Sequence, residues 1–237
     1  MRLYYDLHIH SALSPCASDD MTPNNIVNMC LLKGLDIIAV TDHNSVRNVE
    51  AVVNLAQRKG LVVVPGMEVQ TKEEVHVLCY FYTLDHCYDF QAKWEDSLPK
   101  IENRREYFGN QLILDEDDEL IGEYPYLLLT SSYFGVEDVF RLIRDRGVAV
   151  FAHVDRPSYS VLSNLGFIPD MDGVATLEIS GAVSPQQFLM QHPTLGKYRI
   201  LQSSDAHYLG DIMERVNYVE LTSSSVEDLL KHLSGFA

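Results

Sequence analysis

The strongest constraint on this chain is a rhythm: short apolar runs alternate with helical patterns through most of its 237 residues. The candidate strands are LYYDLHI, DIIAVT, LVVVPGMEV, VHVLCYFY, VAVFAHV, VATLEI and RILQSS, with NYVEL near the end. Several are apolar on both faces, as parallel strands covered by helices require. The helices between them have readable ends. MTPNNIVNMCLLKGLD carries Thr22 as N-cap, Pro23 at the first helical position and Gly34 as its stop. NSVRNVEAVVNLAQRKG starts near Ser45 and closes at Gly60, and GVEDVFRLIRDRG is expected to run to Gly147. A βαβα order calls for a parallel sheet or barrel. No internal repeat is evident.

One region breaks the rhythm. From about Asp85 to Thr130 a charged helical pattern around KIENRREYF precedes NQLILDEDDELIGEYPYLLL, which reads as two strands flanking an acidic turn. We expect residues 1–237 to form a single domain in which 85–130 is an insertion. The DEDDE run reads as a solvated loop tip. A metal-binding role for it lacks a neighbouring histidine.

Composition narrows the function classes. Hydrophobic residues at 46% with 22% charged describe a soluble globular chain. No apolar run is long enough to span a bilayer, and the N-terminus lacks the regions of a signal peptide. We therefore expect a cytoplasmic protein with no membrane partner. The four cysteines form no C-x-x-C pair, so reduced thiols are the default. The net charge is −16, from 34 acids and 18 bases. Such a surface repels phosphodiester polymers at long range and argues against long nucleic acid as a partner. A small phosphorylated substrate remains compatible, because bound cations reverse the field locally.

The polar residues inside the strand runs carry the chemistry. In YYDLHIH, alternate side chains share a face, so Asp6, His8 and His10 are expected on one side and Leu7 and Ile9 on the other. Asp42 and His43 end the second strand, Glu68 lies near the end of the third, and His76 sits in the fourth. VAVFAHV ends on His153, and LQSSDAH ends on Asp205 and His207. Six of nine histidines thus sit at strand boundaries, where α/β sheets and barrels collect active-site side chains. Imidazoles mixed with carboxylates suit Zn²⁺, Mn²⁺ or Fe²⁺ better than Ca²⁺ or Mg²⁺. The set exceeds what one tetrahedral ion needs, so two or three divalent ions are expected, a carboxylate such as Glu68 bridging a pair. Clustered ions suit hydrolysis.

DLHIHS, VTDHN, GME, VHVL, AHV and SSDAH, in this order, resemble the motifs of the PHP family, the polymerase and histidinol phosphatase domain. The resemblance spans nearly the whole chain. It implies an α/β fold, a distorted seven-stranded TIM-like (β/α) barrel with a metal centre at its C-terminal rim, and phosphoesterase chemistry. By matching motif it implies His8, His10, Glu68 and Asp205 on one ion. Glu68 would bridge to a second ion completed by His76 and His153, and His43 and His207 would hold a third. In related members a histidine shortly after the H-x-H pair often completes that third site. Here the nearest equivalent is Cys16, whose thiolate suits zinc or iron. The alternative is a plain loop cysteine and an incomplete site.

Asp6 and Asp42 adjoin these ligands. We assign Asp6 to orienting a metal-bound imidazole through its second nitrogen. Asp42 would do the same or pass a proton to the leaving group. Arg156 and Arg215 are the candidates for forking onto phosphate oxygens, ahead of Arg47, Arg104 and Arg105. The expected function is a metal-dependent phosphoesterase acting on a small phosphate monoester or nucleotide through a metal-activated hydroxide. The alternatives are an exonuclease on short oligonucleotides and a non-catalytic metal-binding module. A serine triad is set aside, since SSDAH lacks a nucleophile elbow.

Overall fold

The computed structural model describes residues 1–235. In chain order it forms β1 (Arg2–Ile9), α1 (Pro23–Leu32), β2 (Ile37–Val40), α2 (Val49–Lys59), β3 (Val62–Gln70), β4 (His76–Phe81) and α3 (Leu84–Glu95). After these come α4 (Arg105–Phe108), β5 (Leu112–Leu114), β6 (Leu120–Glu123), α5 (Val136–Ile143), β7 (Gly147–Phe151) and α6 (Val161–Leu165). The chain continues with β8 (Thr176–Ile179), α7 (Pro185–Gln191), β9 (Arg199–Gln202), β10 (Tyr218–Glu220) and α8 (Val226–Leu233).

Eight strands form one curled sheet in the order β10-β1-β2-β3-β4-β7-β8-β9. Past the end of β9 the chain returns to β1: the His10 N–H donates to the Ala206 carbonyl at 2.9 Å, and the Ala206 N–H donates to the His8 carbonyl at 3.2 Å. These bonds close the curl into the distorted α/β barrel that the sequence led us to expect. At the other end β10 lies antiparallel on β1, and Asn217 bridges the gap by donating from Nδ2 to the Gln202 carbonyl.

Besides β10, a strand inside the sheet departs from the parallel rule. β4 runs antiparallel to both β3 and β7. Only five residues, Thr71–Val75, separate β3 from β4, too few for a crossover, so the connection is a hairpin. It brings His76, at the start of β4, to the same rim as Gln70 at the end of β3, its paired residue.

β1 carries the other departure. Its register against β2 shifts between Asp6 and Ile9. Leu7 packs with Ala39, Val64, Leu78, Tyr80 and Val150, drawn from strands around the barrel, and with α8, whereas Ile9 packs with Ile26, Val27 and Cys30 of α1. The expected strict alternation therefore fails within YYDLHIH. A bulge re-aims the residues beyond it and separates Asp6 from the two histidines.

Helix ends follow local chemistry with small displacements. Thr22 caps α1 through the Asn25 N–H, and Gly60 ends α2 in the left-handed region at φ 76°. α2 begins at Val49, four residues later than Ser45, because the Asn48 side chain is occupied by Ser11, Leu112 and Leu114 and does not extend the helix. α5 stops at Ile143, short of Gly147, which opens β7 at a point where a Cβ would collide with the Tyr80 carbonyl. In segment 85–130 the main helix is α3, capped by Thr83, while only four residues of KIENRREYF are helical. The strands β5 and β6 pair as expected, in a sheet of their own.

The acidic turn between them is not a solvated tip. Asp118 accepts from the Asn24 N–H at 2.9 Å and from Thr22 Oγ1 at 2.7 Å, a favourable charge at the α1 N-terminus. Glu116 accepts from Asn54 at 2.8 Å and pairs with Arg58 of α2. Among the described residues no helix is long and apolar enough to cross a membrane.

Candidate metal centre

At the rim where the barrel closes, the strand ends deliver one buried cluster. Glu68 is its hub. Its carboxylate oxygens lie 2.9 Å from His76 Nδ1, 3.0 Å from His43 Nδ1 and 3.1 Å from His153 Nε2. The Nε2 atoms of His8 and His10 are each 3.4 Å away. Five imidazoles from four stretches of chain thus surround one carboxylate that is 1% exposed. Asp205 joins from the other side, with Oδ1 3.0 Å from His10 Nε2 and 3.2 Å from His8 Nε2. His207 completes the ring of histidines, its centroid 4.4 Å from that of His10.

The donor set fits a cation better than it fits protons alone. A neutral imidazole has one N–H, yet the Nε2 atoms of His8 and His10 face each other at 3.2 Å, and Glu68 Oε2 is buried with no well-formed hydrogen bond. Three groups have ligand atoms close enough to share an ion: His8, His10 and Glu68; His43, Glu68 and His76; and His10, His43 and His207. Burial alone would raise the Glu68 carboxyl, but His76, His8 and His43 outweigh it and hold it well below the usual carboxylate range. Burial, with His43 and His207 nearby, pushes His10 well below an ordinary histidine, toward the neutral form that a ligand needs.

Backbone strain marks the same place. His153 and Asp205 sit at φ 29° and 54°, a region that side chains other than glycine rarely occupy. The His153 N–H is held by Glu178 Oε2 at 2.9 Å.

Glu178 is the residue that sequence reasoning missed. It is 1% exposed on β8, and both its oxygens lie 3.1 Å from His8 Nδ1. Accepting from Nδ1–H fixes the tautomer that leaves the His8 Nε2 lone pair facing Glu68 and Asp205. A charged residue in the apolar run VATLEI was its only sequence signal. The imidazole-orienting role expected of Asp6 is filled here. The Asp6 carboxylate instead accepts from Ser204 N and Oγ (3.0 and 2.6 Å) and from the Met213 N–H at 2.8 Å, which ties the loop after β9 to β1. Asp42 likewise has no free face toward the cavity. It accepts from Ser11 N and Oγ (2.7 and 2.6 Å) and from Ser14 Oγ at 2.7 Å, and Ser14 Oγ lies 3.0 Å from His10 Nδ1. Asp42 therefore orients His10 through Ser14.

The cluster opens into a cavity of about 250 Å³ whose lining includes Cys16, Gln70, Arg156 and Tyr159 beside the ligand candidates. Arg156 points at the cluster, with its guanidinium 2.5 Å from Asp205 Oδ2. Arg215 does not reach it: the guanidinium stacks 4.0 Å from the Tyr4 ring centroid and lies 3.9 Å from Asp36, toward the opposite end of β1. Arg47 and Arg105 pair with Glu95 and Glu123, and neither they nor Arg104 line the cavity.

Cys16 is half-buried against His43 and His207. Burial would raise its thiol, but these two imidazoles outweigh that and bring it down to about 6. Burial pushes the thiols of Cys30, Cys79 and Cys87 up. In protein treated with a chelator, iodoacetamide is expected to modify Cys16 alone, its rate rising with pH through about 6 as thiolate forms. Peptide mass spectrometry checks this, and protection by added Zn²⁺ would identify Cys16 as a ligand.

The chain resembles known proteins over part of its sequence and in its fold. A 5′-3′ exoribonuclease of Haemophilus influenzae is 28% identical over 78 residues, covering 31% of this chain and 27% of its own. The chain spans less than half the length of the curated relatives it matches. Among solved structures, the lesion-specific endonuclease PfuEndoQ of Pyrococcus furiosus superposes with a TM-score of 0.71 at 20% identity, over 100% of this chain and 57% of its own. An amidohydrolase of Chromobacterium violaceum with bound sulfate superposes with a TM-score of 0.58 at 18% identity, over 97% and 96%. These likenesses show a shared fold. A sequence model of the PHP domain matches residues 6–164, about two-thirds of the chain, and takes in every residue gathered at the rim except Glu178, Asp205 and His207: with the motifs, the barrel and the histidine cluster in agreement, this chain belongs to the PHP domain family.

Proposed function

We propose that this chain is a metal-dependent phosphoesterase, and that the carrying observation is Glu68 buried among five imidazoles beneath an open cavity. His8, His10, Glu68 and Asp205 would hold one divalent ion. Glu68 with His76 and His153 would hold a second, and His43, His207 and Cys16 a third. Zn²⁺, Mn²⁺ and Fe²⁺ all suit this donor set. Such ions, when bound, supply an activated water and Lewis-acid stabilisation of phosphoryl oxygens.

The chain's own residues supply positioning. Glu178 and Ser14 hold His8 and His10 in the tautomers that present Nε2 to the cluster. Arg156, anchored on Asp205, has further N–H donors for a phosphate entering the cavity. We carry forward the reading of residues 1–237 as one domain with an insertion at 85–130, which contributes Leu129 to the cavity wall.

The substrate would be a small phosphate monoester, a nucleotide or a nucleic-acid end. Net charge alone had argued against long nucleic acid. An endonuclease Q in complex with a 27-mer duplex bearing an abasic lesion shares this fold with a TM-score of 0.70, so that exclusion is withdrawn and nuclease activity becomes the second reading. A release assay over monoesters, nucleotides and oligonucleotides, with Mn²⁺, Zn²⁺ or Fe²⁺ and a chelated control, separates the two. Hydrolysis that needs metal is expected. Its absence throughout, in protein shown by elemental analysis to be loaded, would leave a non-catalytic metal module.

A further inference from the structure

The turn that follows β7, HVDRPSYS, places three residues on the cavity wall within seven positions: His153, Arg156 and Tyr159. Two of them are strained, with Tyr159 at φ 55° beside His153 at 29°. The turn is nonetheless firmly held. The Arg156 N–H donates to the His153 carbonyl at 2.9 Å, Ser160 Oγ donates to the Arg156 carbonyl at 2.8 Å, and the His76 N–H donates to the Tyr159 carbonyl at 2.9 Å. Backbone strain held in this way at a site is characteristic of side chains that must be aimed.

Tyr159 is aimed at the mouth. Its ring stacks on His76, with centroids 4.9 Å apart and planes 24° from parallel, yet the residue stays 46% exposed. Among the described residues its hydroxyl has no hydrogen-bond partner, so the ring is not held there by a polar contact. Shielding of His76 would account for one face of the ring. It does not account for the exposed remainder at the rim of a cavity that also holds a guanidinium.

We infer that Tyr159 is a stacking platform for a planar ring attached to the substrate, and that with Arg156 on the phosphate it selects phosphoesters carrying a nucleobase over bare sugar phosphates. This rests on the phosphoesterase reading for the metals and names its substrate class. Stacking of a base on one aromatic residue is strong enough to change affinity by roughly ten- to a hundredfold.

Calorimetric titration of the Mn²⁺-loaded protein with adenosine 5′-phosphate and with ribose 5-phosphate tests it without requiring turnover. The wild type is expected to bind the nucleotide at least about tenfold more tightly. Tyr159→Ala should abolish that difference and leave the affinity for ribose 5-phosphate unchanged, while Tyr159→Phe should preserve it. The same pair of ligands, followed by phosphate release, gives the corresponding split in KM. Equal weakening of both ligands in Tyr159→Ala would make the ring a mere support for His76 and overturn the inference, as would equal binding of both by the wild type. A base-dependent affinity that Tyr159→Ala removes, seen with no hydrolysis of any phosphoester, would uphold the platform and sink the catalytic reading instead.

Discussion

Glu68→Gln is expected to lower phosphoester hydrolysis by about three orders of magnitude and to reduce bound metal per chain. The amide keeps the shape of the side chain and removes the charge. Both proposed ion sites that include Glu68 then lose an anionic ligand, the second of them its only one, while the imidazoles that surround the residue stay in place. The loss should therefore exceed that of any single histidine, since each of those serves fewer contacts. Elemental analysis and a release assay on the same preparation check it, with circular dichroism to confirm the fold. Full metal content together with an undiminished rate would remove Glu68 from the centre and the proposed mechanism with it.

Asn44→Ala is expected to cost about 4 kcal/mol of stability, lowering Tm by about 10 °C for a chain of this size. Asn44 follows the ligand candidate His43 and sits at φ 52°, a conformation asparagine tolerates better than most residues. Its buried side chain donates to the carbonyls of Leu128 and Thr130 at 2.7 and 2.9 Å. It accepts from the Gln70 N–H at 3.0 Å and from Trp94 Nε1 at 2.9 Å. Truncation would leave four buried groups without partners. These bonds join β3, α3 and segment 128–130 beside the cavity, so metal affinity should fall as well. Thermal melts with and without added Mn²⁺ measure both effects. A change in Tm of only a degree or two would mean that water or local relaxation replaces the lost bonds.

Much of the site was legible because its signals are local. Each ligand candidate except Cys16, which lies in the loop after β1, sits at or near a strand end, and side chains at strand ends in a barrel gather at its rim. The order of the motifs adds to this. His8, Glu68, His153 and Asp205 could therefore be grouped although up to 197 positions separate them. Helix caps such as Thr22 and Gly60 were legible for the same reason, since capping satisfies backbone groups within a few residues.

What escaped was the choice of partners. Asp6, Asp42 and Glu178 are all buried carboxylates near histidines, yet only Glu178 reaches an imidazole, 170 residues away. Asp6 meets Ser204 and Asp42 meets Ser11 and Ser14 because a bulge in β1 and the course of two loops decide which donors arrive. Arg156 and Arg215 each follow a ligand candidate within one short stretch, His153 and His207, and one enters the cavity while the other stacks on Tyr4. The acidic turn was read from its charge alone, while its docking on α1 and α2 depends on where the β5–β6 hairpin lies.

The amino-acid order by itself determined the α/β class and the polar residues at the strand ends, because periodicity acts over a few residues at a time, and its ordered motifs carried the resemblance that implied the family and its barrel. Only the tertiary structure decided which carboxylate orients which imidazole, which arginine faces the cavity and which strand runs backward. Those outcomes depend on a bulge, a five-residue hairpin and long-range hydrogen bonds, whose geometry is set only when distant segments pack.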